Sequence, residues 1–274
     1  MNTILVPSDF STCSQNALNY ALLIARSLHT DIKLLHVYPS NYEFAPKTEE
    51  YEHSQEENAE DKFAELERRI REREEYRNLP ISTEIRKGEV ITEIVRAAAD
   101  CQAGMIIMGT LGAGGIKHVI GSNTSEVIDE TYLPVLAIPA NFRPDKVKRM
   151  VFATDLHQKD IKILSTLAPI VTSMHLPLEI IHVFDHKDEE ENLYNSFVER
   201  VKDNIPAASV TFHKLNNYDV EKGLANLVHG YNDALLTLTV YKKDFFEKLL
   251  GQNIAEDIVL SGTTPVLVLK SEEN

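Results

Sequence analysis

The chain contains one pattern twice, and this repeat limits its fold more than any other feature. The stretch TILVPSDFS near the start is matched by RMVFATDLH, so that Asp9 corresponds to Asp155. The stretch IKLLHVYPS, which contains His36, is matched by LEIIHVFDH, which contains His182 at the same offset of 146 residues. A repeat of this length indicates two copies of one structural unit.

The two copies end alike and differ in the middle. The closing stretch LPVLAIPA is matched by TPVLVLKS at an offset of 131 residues, so the second copy is about fifteen residues shorter. The charged stretch Asn41–Asn78 has the shorter counterpart DHKDEEENLYNSFVERVKDN, which explains the difference. A length of 274 residues also suits two domains. We predict a first domain at residues 1–142 and a second at 147–274, with the boundary within Asn141–Arg149.

Short apolar runs alternate with helical patterns along the first copy, and the second copy repeats the order. Near-continuous apolar runs are typical of buried parallel strands. Each half is therefore predicted to be a doubly wound α/β domain, whose ligands lie outside the carboxyl ends of the strands. The predicted strands are Thr3–Val6, Ile32–Val37, Ile81–Ile85, Met105–Met108 and Val135–Ile138, and the predicted helices are Ser14–Ser27, roughly Glu56–Arg77, Val90–Ala99 and Ile116–Glu130.

The charged segment Thr48–Arg77 admits two interpretations. Phe63, Leu66 and Ile70 stand at i, i+3 and i+7, which is the spacing of an apolar stripe on one helix face. We predict a long covering helix with a solvated outer face. A coiled-coil or protein-docking arm is the alternative.

Composition excludes several classes of function. The net charge of −14 excludes nucleic acid and anionic membranes as general partners, because phosphate surfaces require a basic face. No apolar run approaches the ~20 residues of a membrane helix. The beginning MNTILVPSDFS lacks the pattern of a signal peptide, so we expect a cytoplasmic location. Cys13 and Cys101 form no CxxC, and the ten histidines form no HExxH, so no metal site is expected.

Glycines cluster directly after the predicted strand Met105–Met108, in MGTLGAGGIKHVIGS. Glycine lets a ligand approach the backbone closely, since it has no Cβ. Free N–H groups at the start of the following helix attract anions, with the helix dipole behind them. Strand, glycine-rich loop and helix in this order indicate a phosphate site that needs no basic surface. A simple tight turn is the alternative.

Three stretches together resemble the universal stress protein family: ILVPSDFS at the start, MGTLGAGGIKHVIGS after the fourth strand, and the closing PVLAIP. The resemblance covers the whole chain as two tandem copies. It implies a five-stranded α/β sandwich of the adenine-nucleotide-hydrolase-like kind, often dimerised through the last strand. The two halves are then expected to pack as a pseudo-dimer through PVLAI and PVLVL.

The nucleotide-binding branch of that family carries GxxG, nine residues, then Gly-Ser or Gly-Thr. By resemblance, Asp9 contacts the ribose or adenine side and Val37 lines the adenine pocket. The glycines of GxxG approach ribose and phosphates, and the Gly-Ser-Asn segment binds phosphate oxygens. The implied nucleotide-binding set is Asp9, Val37, Met108, Gly109, Gly112, Gly121, Ser122 and Asn123.

The loops of both copies depart from the family pattern. Only eight residues separate Gly112 from Gly121, so the first loop is one residue short. In the second copy, LLTLTVYKKDFFEKLLGQNIAEDI has lost the GxxG, and counting nine residues back from Gly251 puts Tyr241 and Leu238 in the glycine positions. We predict that the second half binds no nucleotide in this way.

The resemblance implies a stress-response regulator that binds ATP, with any Mg²⁺ brought by the nucleotide, and that acts through an unidentified protein partner. No GxxxxGK[ST], HxGH or SGGxDS-like loop is present, so efficient catalysis is not expected. Two alternatives stay open: a nucleotide-free interaction scaffold, and a slow ATPase in which Asp9 takes part. Pairing of whole chains into a homodimer is also left open.

Overall fold

The computed structural model describes residues 3–39, 48–110, 122–184, 188–205, 210–216, 233–240 and 264–270. The first half contains strands β1 (Thr3–Pro7), β2 (Asp31–Tyr38), β3 (Ile81–Lys87), β4 (Met105–Gly109) and β5 (Val135–Ile138). Its helices are α1 (Thr12–Leu28), α2 (Glu49–Arg71), α3 (Val90–Asp100) and α4 (Ser122–Glu130). The second half contains β6 (Arg149–Ala153), α5 (Gln158–Ser173), β7 (Leu178–Phe184), α6 (Asp188–Asn204), β8 (Val210–Asn216), β9 (Ala234–Val240) and β10 (Val266–Lys270).

The described strands form one ten-stranded sheet in the order β3-β2-β1-β4-β5-β10-β9-β6-β7-β8. Pairing is parallel within each half and antiparallel where the halves meet, with Leu136 of β5 opposite Leu267 of β10. Both leucines are 1% exposed, so the seam is part of the core. The predicted doubly wound halves and their pairing through the closing strands are confirmed.

The backbone dihedral angles also repeat between the two halves. Phe10 and Leu156 both have φ near +63°, at 63° and 64°, and both directly follow the aspartate after the first strand of their half. His29 and His175 both have φ 54° beyond the end of the helix that follows. Both pairs are 146 residues apart. Left-handed φ values are uncommon for residues other than glycine, so their recurrence supports two copies of one structural unit.

The sheet has an apolar core on each face. Ile4 and Val6 of β1 point to one face and Leu5 to the other, because side chains alternate along a strand. Helices α1, α2, α5 and α6 cover the first face, and α3 and α4 cover the second.

Helix α2 differs from its predicted bounds at both ends. It begins at Glu49, because the Thr48 side chain accepts a hydrogen bond from the Tyr51 N–H and acidic residues fill the first turn. It ends at Arg71, whose Nη1 donates to three main-chain carbonyls, at residues 76, 77 and 79. Phe63, Leu66 and Ile70 are buried in the core, which confirms the covering helix.

Helix α4 is described from Ser122 onward, so the predicted helical residues 116–121 lie outside the described residues.

Candidate functional site

Strand β1 lies between β2 and β4, and this order is typical of sheets that have a crevice at the carboxyl edge between β1 and β4. The helices that follow β1 and β2 cover one face, whereas those that follow β3 and β4 cover the other. The carboxyl ends of β1 and β4 therefore form a topological switch point, where ligands of such sheets bind.

The strand registers bring three predicted site residues to this edge. Pro7 pairs with Leu35, so continuing the register places Asp9 beside Val37. Leu5 pairs with Ile106, so the same continuation places Ser8 beside Gly109. Neighbouring strands are about 4.8 Å apart, so Val37 and Gly109 lie roughly two strand spacings apart, on either side of the end of β1, which Asp9 follows.

Asp9 is exposed, and the turn that follows fixes it in place. Its Oδ1 accepts a hydrogen bond from the Ser11 N–H at 3.0 Å. Ser11 in turn caps α1, because its side chain accepts from the Ser14 N–H. The Asp9 carboxylate is thus held at the start of a helix and remains accessible from the crevice.

The ring of His36 supports β1 from the neighbouring strand. Its Nδ1 lies 2.8 Å from the carbonyl oxygen of Ser8, and its ring centroid is 4.7 Å from that of Phe10. Burial lowers the pKa of His36, with the Ser8 hydrogen bond acting in the opposite direction. The second half repeats this bond, since His182 Nδ1 lies 2.8 Å from the Thr154 carbonyl oxygen. Both histidines therefore serve the fold.

Val37 and Met108 face the side of the sheet that α3 and α4 cover. Val37 is half-buried, which leaves part of its side chain open at the edge. The Met108 side chain is only 6% exposed and packs in the core.

Gly109 faces the opposite side, where α1 packs closely against β4. A Cβ added at Gly109 would lie 2.7 Å from Cys13 Sγ, 2.9 Å from Cys13 C and 3.0 Å from Cys13 Cβ. The Cys13 thiol donates to the Ile138 carbonyl oxygen at 3.3 Å, which helps to hold α1 in this position. The close approach of α1 is therefore one physical reason for glycine at this position.

Sequence reasoning missed two residues that organise this edge. Cys13 packs against Gly109, although 96 residues separate them, and no local pattern signals such a contact. Thr124 Oγ1 donates to the Gly109 carbonyl oxygen at 2.9 Å and ties the start of α4 to the end of β4. Its place just after the Gly-Ser-Asn segment was the available signal.

The rest of the predicted phosphate loop is described only at its end. Gly112 and Gly121 lie outside the described residues. Ser122 is the first residue of α4, and the Asn123 side chain is exposed. The described part of the loop thus ends on a helix N-terminus.

The second half has the same turn with a different strand end. Asp155 Oδ1 accepts from the His157 N–H at 3.1 Å, as Asp9 does from Ser11. Met150 pairs with Leu235, as Ile4 pairs with Met105, so Thr239 occupies the position of Gly109. The prediction that Leu238 occupies the position of Gly109 is wrong by one residue, because it relied on the spacing of the loop, whereas the pairing of β9 with β6 fixes the position. Tyr241 and Gly251 lie outside the described residues.

The described residues contain neither a membrane-spanning helix nor a cluster of metal ligands. None of the helices in the described ranges is long and apolar enough to cross a bilayer. Within the same ranges, no group of three or more His, Cys, Asp or Glu side chains is arranged to hold a metal ion.

The fold places the chain among tandem doubly wound α/β proteins. Its candidate ligand site lies at the carboxyl edge of the first half. The family model for the universal stress protein family matches residues 1–139, which is half of the chain. The chain belongs to the universal stress protein family.

Known proteins resemble the chain in part and as a whole. A universal stress protein of Methanocaldococcus jannaschii is 28% identical over 137 residues, which span 49% of this chain and 80% of that protein. The crystal structure of a universal stress protein from Archaeoglobus fulgidus aligns over 98% of both chains, with TM-score 0.78 and 20% identity. A functionally unknown protein from Pseudomonas aeruginosa aligns over 98% of this chain and 92% of its own, with TM-score 0.68 and 16% identity. The two solved structures share the fold of both halves.

Proposed function

We propose that the protein is a regulatory universal stress protein that binds ATP at the crevice between β1 and β4. One observation carries the proposal: Thr124 ties the first turn of α4 to Gly109, beside the exposed Asp9. The first N–H groups of a helix have no partner within the helix, so they favour an anion. Asp9 and half-buried Val37 suit the nucleoside end, whereas Ser122 and Asn123 suit the phosphates.

The proposal assigns ATP to the first half alone. Thr239 carries a side chain where the first half has Gly109, which favours a degenerate second half. Any Mg²⁺ would arrive with the phosphates of the nucleotide, because a phosphate-bound Mg²⁺ needs only one or two protein carboxylates.

The proposed role is regulation through a protein partner in the cytoplasm, with occupancy of the nucleotide site as the signal. Neither Cys13 nor Cys101 is in a disulfide, which suits a reducing compartment.

The test is titration of the purified chain with ATP·Mg²⁺ in a calorimeter, with matched variants in the two halves. Gly112→Val places a branched side chain in the glycine-rich segment of the first half, and Gly251→Val makes the same substitution in the second half, in the Gly-Gln-Asn segment that corresponds to Gly121–Asn123. We expect binding to be lost in Gly112→Val and retained in Gly251→Val. Absence of heat with the unmodified chain at millimolar ATP would contradict the proposal and favour a nucleotide-free scaffold. Phosphate release that disappears in Asp9→Asn would instead identify a slow ATPase.

A further inference from the structure

Thr124 makes an unusual hydrogen bond for a residue in the first turn of a helix. Threonine near a helix start commonly bonds to the backbone of its own helix or turn. Thr124 is the third residue of α4, yet its Oγ1 donates to Gly109, fifteen residues earlier and on another element. The side chain is 2% exposed, so water does not replace this partner.

Two further interactions hold the ends of this connection. Val127 and Ile128 are buried in the same core as α3 and fix the body of α4 against the sheet. The Thr110 N–H donates to the Ile138 carbonyl oxygen at 2.9 Å and fixes the end of β4 against β5. The Thr124 hydroxyl connects the first turn of α4 to the end of β4.

We propose that Thr124 is the positioning residue of the phosphate end of the site. Its hydroxyl sets the distance from the first turn of α4 to the end of β4, and so the place of Ser122 and Asn123 relative to Asp9. This inference rests on the proposed function for its ligand, but the position of the turn in the free protein can be tested without nucleotide. The predicted effect concerns the triphosphate, since the nucleoside end is held by β1 and β2.

The first test uses Thr124→Val and Thr124→Ser in the full chain. The contribution of this bond to stability limits what ordering the turn can cost when a ligand binds, which is at most about tenfold in affinity. We expect Thr124→Val to bind ATP·Mg²⁺ up to about tenfold more weakly, while its affinity for adenosine stays unchanged. Thr124→Ser keeps the hydroxyl and should bind both like the unmodified chain. Equal weakening of ATP and adenosine, or no weakening, would overturn the assignment.

Thr30→Val is the matched control. Thr30 is 3% exposed, its Oγ1 has no hydrogen-bond partner among the described residues, and it precedes β2 at the opposite edge of the sheet. The substitution therefore removes a buried hydroxyl without touching the crevice, and ATP affinity should not change.

The second test needs no ligand. In the free protein, amide hydrogen exchange at Glu126 and Val127, whose N–H groups bond to the carbonyls of the first turn of α4, should accelerate in Thr124→Val and stay unchanged in Thr30→Val and Thr124→Ser. Equal exchange in all four proteins would overturn the positioning role. A failure of the proposed function appears in the unmodified chain, as absent ATP binding, whereas a failure of this inference appears in the variants.

Discussion

Replacement of Gly109 by alanine tests the packing that forms the edge of the crevice. The new Cβ would approach three atoms of Cys13 at 2.7, 2.9 and 3.0 Å, where carbon contacts normally lie at about 3.5–4.0 Å. One of these atoms is the main-chain carbon of a helical residue, which cannot turn away. Overpacking of this kind costs about 1–3 kcal/mol. We expect Gly109→Ala to lower the free energy of unfolding by that amount.

Gly88→Ala is the matched control, because the three nearest contacts of its new Cβ are all side-chain atoms of Glu93, the nearest being Cγ at 2.7 Å. The Glu93 side chain can rotate but is paired with Arg86 and Arg96, so the loss should be smaller than in Gly109→Ala. Urea unfolding followed by circular dichroism measures both variants. Adding Cys13→Ala to Gly109→Ala removes the sulfur contact but not the main-chain one, so stability should return only in part. A Gly109→Ala variant as stable as Gly88→Ala would refute the packing argument.

Three further predictions concern side chains around the first half. Burial and the hydrogen bond to Glu56 raise the pKa of Tyr38 from 10.0 to about 12. The stability that this shift contributes should therefore be complete below pH 10 and lost between pH 10 and 12. In an ultraviolet titration, the tyrosine ionisation near pH 12 should be missing in Tyr38→Phe. Burial lowers the pKa of His36, so stability should fall as the pH drops below 6.5, and an NMR titration midpoint at or above 6.5 would contradict this. Asn16 Nδ2 donates to the carbonyls of residues 139 and 142 at 2.7 and 2.8 Å, so Asn16→Ala should lose about 1–3 kcal/mol in urea unfolding, whereas a loss below about 0.5 kcal/mol would count against these bonds.

Much of the fold could be predicted from the sequence, because buried parallel strands consist of nearly continuous apolar residues. Val135–Ile138 was predicted residue for residue, and the pairing of the two closing strands followed from the repeat. The start of α2 could not be found in this way, since residues 49–58 contain no apolar stripe. The first turns of α2 depend on the Thr48 cap and on polar contacts such as the hydrogen bond from Tyr38 to Glu56 at 2.8 Å.

The site was harder to predict, since its glycine has a reason outside the loop. The sequence marks Gly109 as a residue that a ligand approaches, whereas the structure also shows α1 packed against it. In the second half, the sequence spacing led to the wrong residue at the position of Gly109. Counting through a loop placed Leu238 at this position, but strand pairing with β6 places Thr239 there. Long-range packing and strand register are properties of the folded chain, so local spacing does not reveal them.

The most direct measurement is the number of ATP molecules bound per chain, determined by calorimetry on protein shown by chromatography to be free of nucleotide. One equivalent, retained in Gly251→Val and lost in Gly112→Val, is the result predicted by a single site in the first half. Two equivalents would contradict the assignment of a degenerate second half, and no binding at millimolar ATP would contradict the account as a whole.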